Sequence, residues 1–223
     1  MRKLSLFSGI GGIDLAAEWA GMETAAFCER EPFPQKVLRK HWPNVQIYDD
    51  VCELTREVLE RDGIITIDRA IDIISAGYPC QPESYAGQRK GTEDDRWLWP
   101  EVARLLQELR PRWFVGENVA GHATMGLDKV LTDLENLSYS WQPFDIPAAA
   151  VDAEHERRRI FIVAHSNSER SQGGRSPEAA AKCGRGPRNN FRDYCRQVHN
   201  LKYPPPTLVE KVMGFPEDWT KIE

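Results

Sequence analysis

A cysteine stands between two prolines in "GYPCQPES", directly after the apolar run "IDIISA". Pro79 and Pro82 restrict the backbone on both sides of Cys80. A thiol presented on such a loop is a candidate nucleophile. With an ordinary thiol pKa of about 8.5, only a small fraction is thiolate at neutral pH, so its neighbours must help. Glu117, in "VGENVAG", is the candidate helper, because a carboxyl group in a closed crevice can stay protonated and act as a general acid or hydrogen-bond donor. His155, Arg157 and Arg159 alternate along the chain. On an extended segment all three face one way, a row suited to phosphate or base contacts.

A second constellation lies near the start of the chain. In "LFSGIGG", Gly9, Gly11 and Gly12 fall between an apolar run and a helical pattern, where the backbone turns sharply and a ligand can come close. Glu29 follows Gly9 by about 20 residues, the spacing at which an acidic residue accepts from the hydroxyls of a ribose. The pattern is G-x-G-G and not the full G-x-G-x-x-G of nicotinamide binders, so it points to another nucleoside cofactor. Asp50, in "VQIYDD", is placed to accept from an adenine amino group.

The elements that must position these residues alternate. "KLSLFS", "ETAAFCE", "VQIYDD", "IDIISA", "RWFVGE" and "RIFIVA" read as strands. Between them, helical patterns start at Ile13 and end before Gly21, run through "PFPQKVLRKHW" to Pro43, and cover "VCELTREVLERDG", "WLWPEVARLLQEL" and "LDKVLTDLENL". Strands alternating with helices predict an α/β domain with a parallel sheet and helices on both faces. Cys80 and Glu117 then follow neighbouring strands and share the carboxyl edge of the sheet, where open α/β folds bind ligands.

With 223 residues, 41% of them hydrophobic and 28% charged, the chain has the composition of one globular domain. No apolar run reaches a membrane span. Five cysteines without a C-x-x-C pair suggest neither a disulfide framework nor a zinc knuckle. Cys183, Cys195 and His199 offer three metal ligands without a fourth, so no metal is expected. A reducing cytoplasm is the expected compartment. The net charge of −5 hides a split: residues 154–202 carry 11 Lys and Arg against 5 Asp and Glu. Such asymmetry fits a part that meets a polyanion. After Ser166 the chain turns to Gly, Ser, Asn and Arg without sustained periodicity, the texture of a loop-rich insertion.

In order, "LSLFSGIGGID", "FCERE", "YDDV", "GYPCQPES", "GENVAG" and "HERRRIFIVAH" resemble the motifs of DNA cytosine-5 methyltransferases. "VEKVMGFPEDW" resembles that family's late "GFP…W" element. The likeness spans residues 4–164 and 207–219. It implies a Rossmann-like S-adenosylmethionine-dependent fold with a small loop-rich insertion. The expected division is a catalytic cofactor-binding domain over 1–165, a short basic target-recognition insertion over 166–200 and a truncated return segment over 201–223.

The resemblance assigns roles. Cys80 is the nucleophile that adds to carbon 6 of cytosine, and Glu117 hydrogen-bonds ring nitrogen 3. Arg157 and Arg159 contact the target base and nearby backbone. S-adenosylmethionine lies along Phe7, Gly9, Gly11, Glu29, Asp50, Val51 and Pro79. Double-stranded DNA is the implied partner, with a cognate restriction endonuclease as a further one. The oligomeric state is not implied, and no membrane is involved. Glu83 stands where the family usually has phenylalanine, His155 where glutamine is commoner, and no Gly-Asn element follows before Glu223. A like charge about 8 Å from Cys80 would oppose thiolate formation by about 2 kcal/mol at an effective dielectric near 20. Some close relatives of the family methylate tRNA, so a tRNA substrate is an alternative reading; Glu83 and the missing Gly-Asn element support another, a catalytically impaired DNA-binding remnant.

Overall fold

The computed structural model describes residues 1–79, 97–121, 126–151, 157–167, 216 and 219–222. Seven strands form one sheet in the order β3-β2-β1-β4-β5-β7-β6. They are β1 (Arg2–Leu6), β2 (Glu23–Cys28), β3 (Gln46–Tyr48), β4 (Ile73–Ala76), β5 (Trp113–Val119), β6 (Tyr139–Ile146) and β7 (Arg159–Ser166). Five helices connect them: α1 (Gly12–Trp19), α2 (Pro32–His41), α3 (Arg56–Arg61), α4 (Trp99–Leu109) and α5 (Leu127–Asn136). Strands β1 to β5 pair in parallel. The chain runs outward from β1 to β3, then returns to place β4 on the other side of β1. That reversal opens a crevice at the carboxyl ends of β1 and β4.

The central strands read as they do because both faces are covered. All four residues of β4 and the last four of β1 are buried, so the polar side chains among them, Lys3, Ser5 and Ser75, are buried with the apolar ones and do not mark a solvent face. Helix α4 turns Trp99, Val102, Leu105 and Leu106 inward. Trp99 meets the rings of Tyr78 and Phe114 at centroid distances of 5.2 and 5.9 Å. Its indole N–H is satisfied by Asp133 of α5 at 2.9 Å, so the large ring is buried without an orphaned donor. Helix α1 ends as its sequence predicts: Gly21 takes a φ of 73°, and Met22 N donates to Ala17 O, a glycine C-terminal cap.

Two expectations are corrected. The sheet is not wholly parallel, because β7 runs antiparallel to β5 and β6 antiparallel to β7. Strand β6, "YSWQPFDI", escapes sequence reading because it is an edge strand, with Pro143 inside it and mostly exposed or half-buried residues. Proline is tolerated only where no ladder partner needs its missing N–H. The second correction shortens the helix expected over 51–63 to α3. Asp50 accepts from Cys52 N at 2.9 Å, and Thr55 accepts from Val58 N as the N-cap. These side chains compete for the backbone and delay the helix to Arg56. No helix among the described residues is long and apolar enough to cross a membrane.

A buried ion pair fixes α1 to the sheet. Lys3 of β1 and Asp14 of α1 are both about 1% exposed, and Lys3 Nζ donates to Asp14 Oδ1. Ser5 donates to the other carboxylate oxygen at 3.1 Å, and Thr24 of β2 lies at 3.4 Å. Burial pulls the Lys3 ammonium below its ordinary value, with Asp14 opposing. Removing one member of such a pair strands the other charge away from water, whereas removing both does not. Asp14→Ala is expected to cost about 3–5 kcal/mol of stability by urea denaturation, and Lys3→Met with Asp14→Leu considerably less.

Candidate active site

The crevice is framed first by the turn that ends β1. Phe7, Gly9 and Gly11 have φ values of 53°, 53° and 85°, a run of left-handed conformations that only glycine adopts without strain. Gly11 is required twice over, since a Cβ there would sit 2.5 and 2.8 Å from ring carbons of Trp42. Gly11 N donates to Ser8 O at 3.0 Å, closing the turn.

Glu29, at the end of β2, grips that turn. Its Oε2 accepts from Gly9 N at 2.7 Å and its Oε1 from Glu31 N at 2.8 Å. Each carboxylate oxygen has capacity for a second donor, so a diol could still be bound by the same group. Gln35 of α2 donates to Glu29 O and to Asp49 Oδ1, each at 2.7 Å, tying the ends of β2 and β3 together. Asp50 is half-buried and Val51 buried beyond them. The Val51 and Leu54 carbonyls accept from Arg104 of α4 at 3.0 and 2.9 Å. Arg104 is itself paired with Glu101 and Glu108. Sequence reasoning missed Gln35 and Arg104, which carry no motif.

This end of the crevice is acidic. The buried Cys28 thiol is pushed up to about 12, by burial first and then by the charges of Asp50, Glu29 and Asp49. A field that opposes a thiolate favours a cationic ligand.

The other half of the crevice lies across β4 and β5. Gly77 follows β4, and a Cβ there would come 3.5 Å from Phe7 O and 3.6 Å from Glu117 Oε2. The glycine turn and Glu117 therefore approach one point. Glu117 Oε1 pairs with Arg159 Nε at 2.8 Å. Arg159 faces Val119 in the β5–β7 ladder, which makes Glu117 its diagonal neighbour on the same face. Arg158 points the other way, to Asp145 of β6, as strand alternation requires. Arg157, just before β7, is pulled below its ordinary value by burial first and then by the Arg159 charge, with Glu117 opposing.

Next to Glu117, the buried Asn118 donates to the Tyr78 carbonyl at 3.0 Å, two residues before Cys80. Pro79 is half-buried beside it. Asn118 was visible in "GENVAG", but its role needed the strand pairing of β4 with β5. Cys80, Glu83 and His155 lie outside the described residues, as does the stretch 168–215 that holds most of the basic insertion. Phe7, Gly9, Gly11, Glu29, Asp50 and Val51 are brought together around the ends of β1 to β3. Pro79, Glu117, Arg157 and Arg159 gather at the ends of β4, β5 and the start of β7.

A strand-order reversal with a glycine turn and an acidic β2 terminus defines a Rossmann-like α/β enzyme built to hold a nucleoside cofactor. Residues 1–206 match the family model described as C-5 cytosine-specific DNA methylase, and the chain belongs to that family, whose methyl donor is S-adenosylmethionine. Among its relatives, the type II methyltransferase M2.BsuMI of Bacillus subtilis is 28% identical, over all of this chain and 67% of that protein. M.Sau96I of Staphylococcus aureus is 37% identical over 70% of this chain and 37% of its own. A solved DNA modification methyltransferase encoded within an Escherichia coli prophage superposes with a TM-score of 0.65 at 26% identity, covering 78% of this chain and 49% of that one. The chain thus spans about half or less of the length of several relatives that it matches.

Two outcomes follow from this geometry. Iodoacetamide at pH 8.5 should leave Cys28 unmodified in the native protein, because the thiol is protonated far above that pH, and modify it once unfolding restores an ordinary value of about 8.5. Peptide mapping reads this against the exposed Cys52. Gly11→Ala should lower stability by about 1–3 kcal/mol in thermal unfolding, since it adds left-handed strain to a clash with Trp42.

Proposed function

We propose that the chain transfers a methyl group from S-adenosylmethionine to carbon 5 of cytosine in double-stranded DNA, through a covalent adduct with Cys80. The observation that carries this reading is the convergence at Gly77, where the cofactor-type turn and Glu117 reach one point. The residues present fit the cofactor: Glu29 retains acceptor capacity for two ribose hydroxyls, and the acidic rim suits a sulfonium. When bound, that group supplies an electrophilic methyl and leaves as S-adenosylhomocysteine.

The chain's own residues do the rest. Carbon 5 of cytosine is a poor nucleophile while the ring is aromatic. Addition of the Cys80 thiolate to carbon 6 breaks the 5,6 double bond and moves its electron pair toward carbon 5. Glu117, hydrogen-bonded to nitrogen 3, gives its proton there and so neutralises the negative charge that addition develops on the ring. Arg159 holds Glu117 in place and, with Arg157, offers positive charge to the base and its phosphates. After methylation, transfer of the carbon 5 proton to a water or hydroxide re-forms the double bond and expels the Cys80 thiolate, and nitrogen 3 returns its proton to Glu117. The base must leave the duplex first, at a cost of a few kcal/mol.

On this reading residues 1–165 form the catalytic domain, 166–200 the basic target-recognition insertion and 201–223 the return segment. The reducing cytoplasm, where a nucleophilic thiol survives, is the working compartment. A cognate restriction endonuclease is the further partner on this reading.

The test is to incubate the chain with S-adenosylmethionine and DNA containing 5-fluorocytosine. Fluorine blocks the last elimination, so a working enzyme stalls as a denaturation-resistant adduct mapped to Cys80, absent in Cys80→Ser. Glu117→Gln should slow adduct formation by about 10²- to 10⁴-fold, the range for loss of an acid-base group. An adduct on tRNA but not on DNA would move the substrate, and none on either would point to the remnant.

A further inference from the structure

The glycine turn is also held from the far end of the chain. Trp219, 5% exposed, donates its indole N–H to the Ile10 carbonyl at 2.9 Å, across 209 residues of sequence. Ile10 stands between Gly9 and Gly11, both with positive φ, so the Ile10–Gly11 peptide has little steric resistance to rotating as a plane. Both of its polar ends are occupied. The Gly11 N–H goes to Ser8 O at 3.0 Å, and the Ile10 carbonyl goes to Trp219. Gly9 N, two peptides earlier, is held by Glu29.

Trp219 is itself fixed by α2. Its ring stacks on His41 at a centroid distance of 3.4 Å and 9°, and it meets Trp42 edge-on at 5.6 Å. His41 Nε2 lies 2.8 Å from the Trp219 carbonyl. A carbonyl can only accept, so His41 carries its proton on Nε2. Trp42 in turn fills the space against Gly11. Three aromatic side chains thus clamp one peptide of the turn.

We infer that Trp219 is a positioning residue for the cofactor: its N–H sets the Ile10–Gly11 peptide in the orientation that the nucleoside meets. A turn so fixed does not have to be ordered at the moment of binding, and the saving appears as cofactor affinity. The inference rests on the cofactor-site reading above. Trp219 lies outside the glycine motif, and its contacts with Ile10, His41 and Trp42 lie on the side of that turn, so its effect is on cofactor binding and not on the chemical step.

Trp219→Phe keeps the stacking surface and removes the N–H. In the full chain, calorimetric titration with S-adenosylhomocysteine should show Kd raised about 2- to 10-fold, the range for loss of one neutral hydrogen bond. KM for S-adenosylmethionine should rise with it. The kcat at saturating cofactor and KM for DNA should stay within about twofold of wild type. An unchanged Kd with a lowered thermal midpoint would make Trp219 a packing residue only and overturn the inference. If wild type itself fails to bind S-adenosylhomocysteine, the cofactor-site reading falls and this inference falls with it. Should Trp219→Phe not fold, His41→Gln takes its place: it keeps a donor for the Trp219 carbonyl but loses the stacked ring, and should raise the same Kd about twofold or more. An unchanged value there overturns the inference equally.

Discussion

Everything in the first half of this protein is referred to one carboxylate in the first turn of α1. Asp14 receives Lys3 and Ser5 from β1 and lies beside Thr24 of β2, so one side chain locks the helix to two strands at once. The glycine turn is the link between β1 and α1. With its exit fixed by Asp14 and its entry by the β1 ladders, the turn has almost no freedom in where it lies. A buried ion pair is weak support for stability as such, but a buried carboxylate whose donors come from two strands is a strong specifier of position. That is the property a cofactor site needs.

The crevice then has two walls made by different means. On the β1–β3 side, backbone groups do the work, held by Glu29, Gln35 and Arg104 from neighbouring elements. On the β4–β5–β7 side, charged side chains do it, and they are aimed by strand pairing. Arg159 and Glu117 meet only because β7 enters antiparallel, which places the start of β7 beside the end of β5. A fully parallel sheet would have sent that arginine to the opposite edge. The departure from the expected topology is therefore what completes the site.

The alternation of apolar runs and helical spacings exposed most strands and all five helices, because buried parallel strands and amphipathic helices write their environment into composition. Edge strand β6 wrote nothing legible, since Pro143 interrupts it, Phe144, Asp145 and Ile146 are all exposed, and the ladder asks little of an edge. The chemistry-bearing residues were legible for a different reason. Glycines with positive φ, a carboxylate at a fixed distance and an Arg-x-Arg row are local patterns. The roles of Asn118, Arg104, Trp42 and Trp219 were not, although each contacts a backbone group or a glycine of the site. Their roles depend on which distant carbonyl or Cα comes near, and that is a property of the assembled sheet.

Asn118 shows why such residues matter to the chemistry. Nucleophilic addition demands that the reacting atoms be held about 3–3.5 Å apart and aligned, and a 1 Å displacement can cost about a hundredfold in rate. Pro79 limits the backbone next to Cys80 but cannot anchor it. The anchor is the Tyr78 carbonyl, held at 3.0 Å by the buried amide of Asn118, one residue from Glu117. On the proposed mechanism, the segment that leads into Cys80 and the carboxyl group of Glu117 are thus referenced to the same two neighbouring residues of β5. A shift of that strand carries Glu117 and the Asn118 amide that holds the Tyr78 carbonyl together, so the end of β4 and the carboxyl group keep their mutual register through motions that would separate residues held on independent loops.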